Sequence, residues 1–411
     1  MRFTFLHAAD LHLGSPLAGL AGRDPSVARR IALAGREAFS ALVDRALDEK
    51  VAFVLLAGDI YDREWQDNAI GLFFNKEVAR LHRDGIPVFM IRGNHDAASV
   101  VTRTITLPQS VGQFSTRKAE TLRLDALRVA VHGRSFPDRA VEENIALDYP
   151  DPIPGWFNIG LLHTSLDGRP GHAPYAPCSL SDLRSRGYDY WALGHVHEHE
   201  VVATDPHVVY PGNIQGRSVR ECGAKGAVLV DVEDGRVVDL RRVLTARAEW
   251  AMAAVDLTGI GEGTGLLAAV EAAVAQHLPA DRETMLVLRV TLTGATALHL
   301  GLSAHPETLR TEIQAAADRV HGDVWVESVK LATREPSSSV AGPVDTANFG
   351  ALLARIGAEP AFRERIAGEI AIVSAKLPAI EGAPPLADDL HAIVEEARAL
   401  VLGRVAGSGA F

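Results

Sequence analysis

Five apolar runs between Phe3 and His197 each stop at residues that bind metal ions well, and this recurrence limits what the chain can become. Phe3-Thr4-Phe5-Leu6 is followed by Asp10 and His12, Val54-Leu55-Leu56-Ala57-Gly58 by Asp59, and the run from Ile86 to Ile91 by Asn94 and His95. Two further runs, Phe157 to Leu162 and Tyr188 to Leu193, deliver His163 and then His195 and His197. Val51 to Ala57 is apolar along both faces, the pattern of a parallel strand covered on both sides. In open α/β sheets, sites form outside the carboxyl ends of the strands, so residues there converge in space although they are scattered along the chain.

The intervening segments fit that architecture. Ile31, Phe39, Leu42, Val43, Ala46 and Leu47 recur on one helical face, which predicts a long helix from about Ser26 to Glu49. A second helix, about Asp67 to Arg83, ends near Gly85 ahead of the next strand. Strand, helix, strand with connections this short implies right-handed crossovers and a largely parallel sheet. From about Leu127 the texture changes to short strands separated by Pro- and Gly-rich loops, with Glu233-Asp234-Gly235 as a hairpin turn. Two packed sheets with helices outside accommodate both halves.

At 411 residues the chain exceeds a typical single domain, so one large catalytic domain, 1–247, is expected with smaller units after it. Near Ala248 a compact α+β module begins and runs over 248–334, reading as strand, helix, strand, helix, strand. Arg334-Glu335-Pro336-Ser337-Ser338-Ser339 has linker composition, giving a linker at 335–344. The remainder, 345–411, is helical: Phe349, Leu352, Leu353 and Ile356 fall at helical spacing, as do Leu390, Ile393, Val394, Ala397 and Val401. A break from Pro378 to Pro385 precedes the last helix. The apolar stripes of this tail either pack on the chain's own body or present a docking face to a partner.

Composition excludes several classes. Hydrophobic residues at 47% and charged residues at 23% are those of a soluble globular protein. No uninterrupted apolar run of about 18 residues occurs, and the apolar run before His7 and Asp10 is too short for a signal peptide, so a cytoplasmic protein without a membrane partner is expected. Two cysteines, Cys178 and Cys222, cannot make a disulfide framework or a C-x-x-C metal pair. A net charge of -11 argues against nucleic-acid binding through a general basic surface, although bound divalent cations reverse the sign inside a carboxylate-lined site.

The residues at the five strand ends suffice for two metal ions. Asp10, His12, Asp59 and His197 would fill one site, and Asp59, Asn94, His163 and His195 the other, with Asp59 bridging through its two oxygens. Ions held about 3.5–4 Å apart clamp both the attacking and the leaving oxygens of an in-line displacement at phosphorus. Oxygen and imidazole donors without thiolate suit Mn, Fe or Zn better than Ca. His95 follows Asn94 directly, so the two side chains point apart, and it is placed to approach the phosphate or to protonate the leaving oxygen. Asp62, three residues after Asp59, is in position to hold the other imidazole nitrogen of His95, and Arg63 is a candidate phosphate contact.

Asp10-Leu11-His12-Leu13-Gly14, Gly58-Asp59-Ile60-Tyr61-Asp62, Gly93-Asn94-His95-Asp96, Leu162-His163-Thr164-Ser165 and Gly194-His195-Val196-His197 resemble the five motifs of calcineurin-like metallophosphoesterases. Their order and spacing are similar to those of SbcD-type DNA repair exonucleases, in particular the YhaO-like branch. Tyr210-Pro211-Gly212-Asn213-Ile214-Gln215-Gly216-Arg217, followed by Glu221 and Lys225-Gly226, strengthens the narrower match. The specific resemblance covers about residues 1–245. It implies a four-layer α/β/β/α metallophosphoesterase sandwich with a small α+β capping domain and a helical C-terminal tail. It further implies two divalent metal ions, Mn first, and hydrolysis of DNA phosphodiesters in DNA repair. The partners implied are DNA and an SMC-like coiled-coil ATPase of the SbcC type docked on the tail, and a homodimer is a further candidate assembly.

Two other functions compete. This fold hosts many substrates, so a phosphoesterase for a small nucleotide or a phosphoprotein is one alternative. Gly93-Asn94-His95-Asp96 departs there from the GNHE of protein phosphatases, while Asp62-Arg63 echoes their pattern. The other alternative is a non-catalytic scaffold for DNA ends or an ATPase, against which stands the complete set of seven candidate ligands.

Overall fold

The structure is a computed structural model that describes residues 1–15, 25–62, 68–97, 106–138, 140–168, 175–336, 346–374 and 390–405. Arg63, most of the expected linker and the break from Pro378 to Pro385 lie outside the described residues. The chain divides into two compact units, one of Met1–Ala251 with Pro279–Leu286, the other of Met252–Leu278 with the described chain from Val287 onward.

The first unit opens with β1 (Arg2–Ala8), α1 (Pro25–Asp48), β2 (Phe53–Ala57), α2 (Asn68–Arg83), β3 (Val88–Ile91), the single turn α3 (Asn94–Ala97) and β4 (Val111–Gln113). There follow β5 (Glu120–Leu124), β6 (Val129–Gly133), β7 (Phe157–His163), α4 (Leu180–Ser185), β8 (Tyr190–Gly194), β9 (Glu200–Thr204), β10 (His207–Tyr210), β11 (Gly226–Glu233) and β12 (Arg236–Leu244). They form two six-stranded sheets, in the orders β12-β11-β1-β2-β3-β4 and β5-β6-β7-β8-β10-β9. In the first, β1 to β4 are parallel neighbours and β11 and β12 add antiparallel at the β1 edge. In the second, β6, β7, β8 and β10 are parallel, with β5 and β9 antiparallel at the two edges. The parallel character expected of the first half therefore extends to the second, with an antiparallel edge on one side of the first sheet and on both sides of the second. Asp234 and Gly235 take φ of 48° and 75°, the left-handed pair that a two-residue hairpin turn needs.

Alternation along the strands explains why their sequences read as unbroken apolar runs. Phe5, Phe53, Leu55, Phe89 and Ile91 face the second sheet and meet Val129, Val131, Ile159, Leu161, Tyr190 and Val209. Leu6, Val54, Leu56, Val88 and Met90 point the other way, onto Phe39, Leu42, Val43 and Ala46 of α1 and Ile70, Phe74, Val78 and Leu81 of α2. The outer face of the second sheet, with Leu162, Trp191, Leu193 and Tyr210, is covered by Leu183 of α4, by the 3-10 turn Ile145–Asp148 and by Phe136 and Tyr149. Helices, sheet, sheet and a thinner helix-and-loop layer make the four-layer α/β/β/α sandwich. Each large apolar side chain sequestered in it contributes roughly 1.5–3 kcal/mol of transfer free energy.

A buried histidine side chain ties the two sheets together near the start of the chain. His7 of β1 donates through Nε2 to the Leu193 carbonyl, 3.1 Å away, and accepts at Nδ1 from the Tyr190 hydroxyl at 3.0 Å. Burial pushes its pKa down to about 3, so it is a neutral hydrogen-bonded tie.

The second unit contains most of β13 (Ala248–Asp256), α5 (Gly263–Ala275), most of β14 (Met285–Ala295), α6 (His299–Ala304), α7 (Pro306–Val320) and β15 (Val324–Arg334). The strands form one sheet in the order β13-β14-β15, with α5 against α7 and α7 against β15. Leu266, Val270 and Val274 of α5 and Leu309, Ile313 and Ala316 of α7 supply its buried helical face. Beyond it come α8 (Thr346–Ala358), α9 (Pro360–Ser374) and α10 (Leu390–Val405). The last helix packs against α6 as well as α8, so part of the tail's apolar stripe is used within its own unit. No helix among the described residues is long and apolar enough to cross a membrane.

Candidate metal centre

Because β1, β2 and β3 are parallel neighbours, the chain segments leaving their carboxyl ends run side by side. Asp10 N donates to Gly58 O at 3.0 Å, His12 N to Asp59 O at 3.0 Å and Leu13 N to Ile60 O at 2.9 Å. This continuation of the ladder brings Asp10 and His12 alongside Asp59 and Asp62. His163 ends β7 and His195 and His197 follow β8, so the candidate ligands come from both sheets and meet at the seam between them. Asp10, His12, Asp59 and His195 have φ of 52°, 43°, 52° and 99°, backbone that L side chains rarely adopt and that clusters at functional sites.

Two glycines make the convergence sterically feasible. A Cβ at Gly93 would lie 2.2 Å from Asp59 Oδ1, and one at Gly194 would lie 2.0 Å from the Ala57 carbonyl oxygen. Either side chain would prise apart the strand ends that carry the ligands.

Two donor groups result. In the first, Nε2 of His12 faces Nε2 of His197 at 3.1 Å, with Asp59 Oδ2 3.9 Å from the former and Asp10 Oδ1 4.0 Å from the latter. Asp10 is fixed by accepting the His195 backbone N–H at both oxygens, 3.1 and 3.0 Å. In the second, His163 donates through Nδ1 to the Ala57 carbonyl at 2.8 Å and directs Nε2 at Asn94 Oδ1, 3.0 Å, and Asp59 Oδ2, 3.4 Å. The His195 ring stands 5.2 Å from that of His163, edge-on. Asp59 reaches imidazoles of both groups, and its other oxygen accepts from His95 N at 3.0 Å.

The electrostatics describe a pocket of opposed charges held away from water. Burial raises the Asp10 carboxyl to about 6, against the pull of His197 and His163. Burial also acts to raise Asp59, but the imidazoles of His163, His12 and His95 outweigh it and hold its carboxyl far below the usual range. Burial would lower His163; Asp59 and Asp10 lift it instead to about 9. Burial, helped by the charge of Arg217, drops His12 to about 3. Imidazole nitrogens facing one another with carboxylate oxygens around them, and no thiolate, form the donor chemistry that divalent Mn, Fe or Zn satisfies. The residues fit such an ion.

His95 is set apart from both groups. Its Nδ1 lies 2.7 Å from Asp62 Oδ1, and its side chain is 27% exposed, whereas those of His12 and His163 are 1% and 0% exposed. Burial would lower its pKa, but Asp62 and Asp59 raise it, while two imidazoles hold Asp62 well below the carboxylate range in spite of burial. Asp62 Oδ1 is also 3.8 Å from Nδ1 of His12, a second contact that its spacing after Asp59 does not reveal.

Three further residues belong to the constellation without a role foreseen from the sequence. Asp96 accepts the backbone N–H groups of Ile60 at 3.1 Å, Tyr61 at 2.9 Å and Gly93 at 3.0 Å, locking the turns after β2 and β3 together. Glu221 accepts from His197 Nδ1 at 2.8 Å, and Arg217 joins Glu221 to Asp62 through contacts of 2.9 and 3.4 Å. Asp96 stands inside Gly93-Asn94-His95-Asp96, where its position was the available signal. Glu221 lies 24 residues past His197 and carries no local signal beyond its place in the Tyr210-to-Gly226 resemblance.

Two mixed sheets with Asp, His and Asn converging at their carboxyl ends are the arrangement of a calcineurin-like metallophosphoesterase, and the chain carries a domain of that family. Residues 3–199 match the family described as calcineurin-like phosphoesterase, and residues 250–334 match the middle domain of metallophosphoesterase YhaO. The chain is 38% identical over 273 residues to the "Uncharacterized metallophosphoesterase YhaO" of Bacillus subtilis, covering 65% of this chain and 66% of that one. It is 26% identical over 284 residues to the "DNA double-strand break repair protein Mre11" of Methanopyrus kandleri, covering 62% of this chain and 59% of that one. The matches thus span less than two thirds of these relatives' lengths. Among solved structures, TT1561 of Thermus thermophilus superposes with a TM-score of 0.34 at 11% identity, over 59% of this chain and 99% of that one.

Proposed function

We propose that the chain is a dinuclear-metal-dependent phosphodiesterase that cleaves DNA, working in DNA repair as the nuclease subunit beside an SMC-like coiled-coil ATPase. The observation that carries this reading is the placement of Asp59, whose carboxylate touches imidazoles of both donor groups while His95 stands beside it on the open side. Asp10, His12, Asp59 and His197 would hold one ion and Asp59, Asn94, His163 and His195 the other. When bound, two divalent ions supply Lewis acidity and charge neutralisation for displacement at phosphorus. Mn is the first choice of metal, with Fe and Zn suited to the same donors.

The chain's own groups do the proton work. Asp62 keeps a proton on Nδ1 of His95, so the protonated ring presents Nε2–H to the leaving oxygen and releases its proton there as the ester bond breaks. Relatives named for DNA double-strand break repair support DNA as the substrate. Exposed Leu352, Ile372, Val373 and Val401 on the tail helices support a docking face for the ATPase.

Release of nucleotides from linear DNA with Mn, by wild type and by His95→Ala, tests the reading. A loss of about 10²- to 10⁴-fold is expected for the variant, and unchanged activity would remove His95 from its role. The acidic balance of -11 favours a second reading, a small-nucleotide phosphoesterase. Turnover of cyclic nucleotides with no cleavage of DNA would establish it.

A further inference from the structure

We infer that Glu221 is a positioning residue for the metal centre, holding His197 as the Nδ1–H tautomer so that Nε2 faces the donor group, with Arg217 tying the same carboxylate to Asp62. The inference rests on the metal reading above for its purpose, but its geometry is independent of it.

The Glu221 carboxylate is ringed by donors. Oε1 takes His197 Nδ1 at 2.8 Å and Arg217 Nη2 at 2.9 Å, and Oε2 takes the Asn213 amide at 2.9 Å and the Arg217 backbone N–H at 2.8 Å. With four N–H donors converging on its two oxygens, the Glu221 carboxyl has no acceptor to take a proton of its own and is held as the carboxylate. A charged carboxylate only accepts, so at 2.8 Å the His197 Nδ1 must carry the proton. Arg217 Nη2 lies farther from the same nitrogen, 3.3 Å, and as a donor it has nothing to bond there once Nδ1 is protonated. The tautomer is therefore set by Glu221, and the lone pair falls on Nε2, which faces His12 Nε2 and Asp10.

His197 is gripped from its backbone too. Its carbonyl accepts from the buried Lys225 ammonium at 3.1 Å and from Asn213 N at 3.3 Å. The loop from Asn213 to Lys225 thus holds His197 by both its ring and its backbone carbonyl and, through the contact of Arg217 Nη1 with Asp62 Oδ2, reaches the His95 side of the site. Carboxylate partners of ligating imidazoles typically change metal affinity about 10- to 100-fold when removed.

Glu221→Gln discriminates this role from simple loop packing. The Arg217 donors claim the one remaining carbonyl oxygen, so the new amide NH2 turns to His197 Nδ1 and drives the proton to Nε2. Long-range proton–nitrogen NMR on the metal-free full chain reads the tautomer, and calorimetric Mn titration reads the ions bound. Nδ1–H is expected in wild type and Nε2–H in Glu221→Gln, with one of the two Mn sites weakened about 10- to 100-fold and the other retained. Glu221→Asp, which keeps the charge, is expected to keep Nδ1–H and answers the question if Glu221→Gln does not fold. The wild-type tautomer in both wild type and Glu221→Gln overturns the inference, as does wild-type affinity at both Mn sites of that variant. If wild type binds no Mn and the tautomer still switches, the positioning role stands and the metal reading falls.

Discussion

Asp62 Oδ1 lies 2.7 Å from Nδ1 of His95 and 3.8 Å from Nδ1 of His12, so one carboxylate faces both the proposed acid and a proposed metal ligand. Asp62→Asn is therefore expected to cut kcat on a phosphodiester about 10²-fold while weakening metal binding about tenfold. Turnover and metal content per chain, measured together, check the division. A variant that binds metal like wild type and turns over like wild type would strip Asp62 of both roles.

Asp59 differs because it touches both donor groups. Asp59→Ala is expected to lose both ions, whereas Asn94→Ala, which alters only the His163 group, should lose one. Elemental analysis of the purified variants against protein concentration gives the count. Equal stoichiometry in the two variants would contradict a bridging carboxylate.

Gly194 has its Cα where any Cβ would lie 2.0 Å from the Ala57 carbonyl oxygen. Gly194→Ala is expected to destabilise the fold by about 1–3 kcal/mol and to move His195 N away from Asp10. Urea unfolding should show a lower midpoint with an unchanged slope, since the surface exposed on unfolding is the same.

His7 is neutral in the fold, with its pKa lowered from 6.5 to about 3 by burial. Below pH 6.5 the unfolded chain binds a proton that the folded chain refuses, so stability present above that pH is lost progressively as pH falls toward 3. The loss is on the order of a few kcal/mol. His7→Gln should be less stable near pH 8 yet show a flatter decline in acid, read from melting temperatures across the range. An acid limb as steep as that of wild type would show that other groups control it.

The motifs and the layers were open to sequence reading because both rest on local pattern. Asp10, Asp59, Asn94, His163 and His195 each follow directly on an apolar strand, and the helical face of Phe39, Leu42, Val43 and Ala46 repeats at helical spacing. Long-range pairings were not open in this way. Val111–Gln113 has a single branched apolar residue and is a strand because β3 offers it a parallel ladder. Glu120–Leu124 and Glu200–Thr204 are half-exposed edges whose mixed composition carries no clear alternation. That β11 inserts antiparallel beside β1 depends on a register between Phe3 and Val232, residues more than two hundred positions apart. Glu221 and Arg217 act through contacts with His197 and Asp62 that no spacing rule connects.

The placement of the ligands on two sheets has one more consequence. Asp10, His12, Asp59 and Asn94 leave the first sheet, and His163, His195 and His197 leave the second. An ion shared among these candidate ligands would fasten the halves of the sandwich together, and its binding free energy would count toward holding them closed, about 2.7 kcal/mol at a hundred times the dissociation constant. A chelator should accordingly lower the melting temperature of wild type and leave that of Asp59→Ala unmoved. The lifetime of such a chain among cellular proteases would then follow the supply of its cation, so that starvation for the metal clears the protein instead of leaving an idle copy behind.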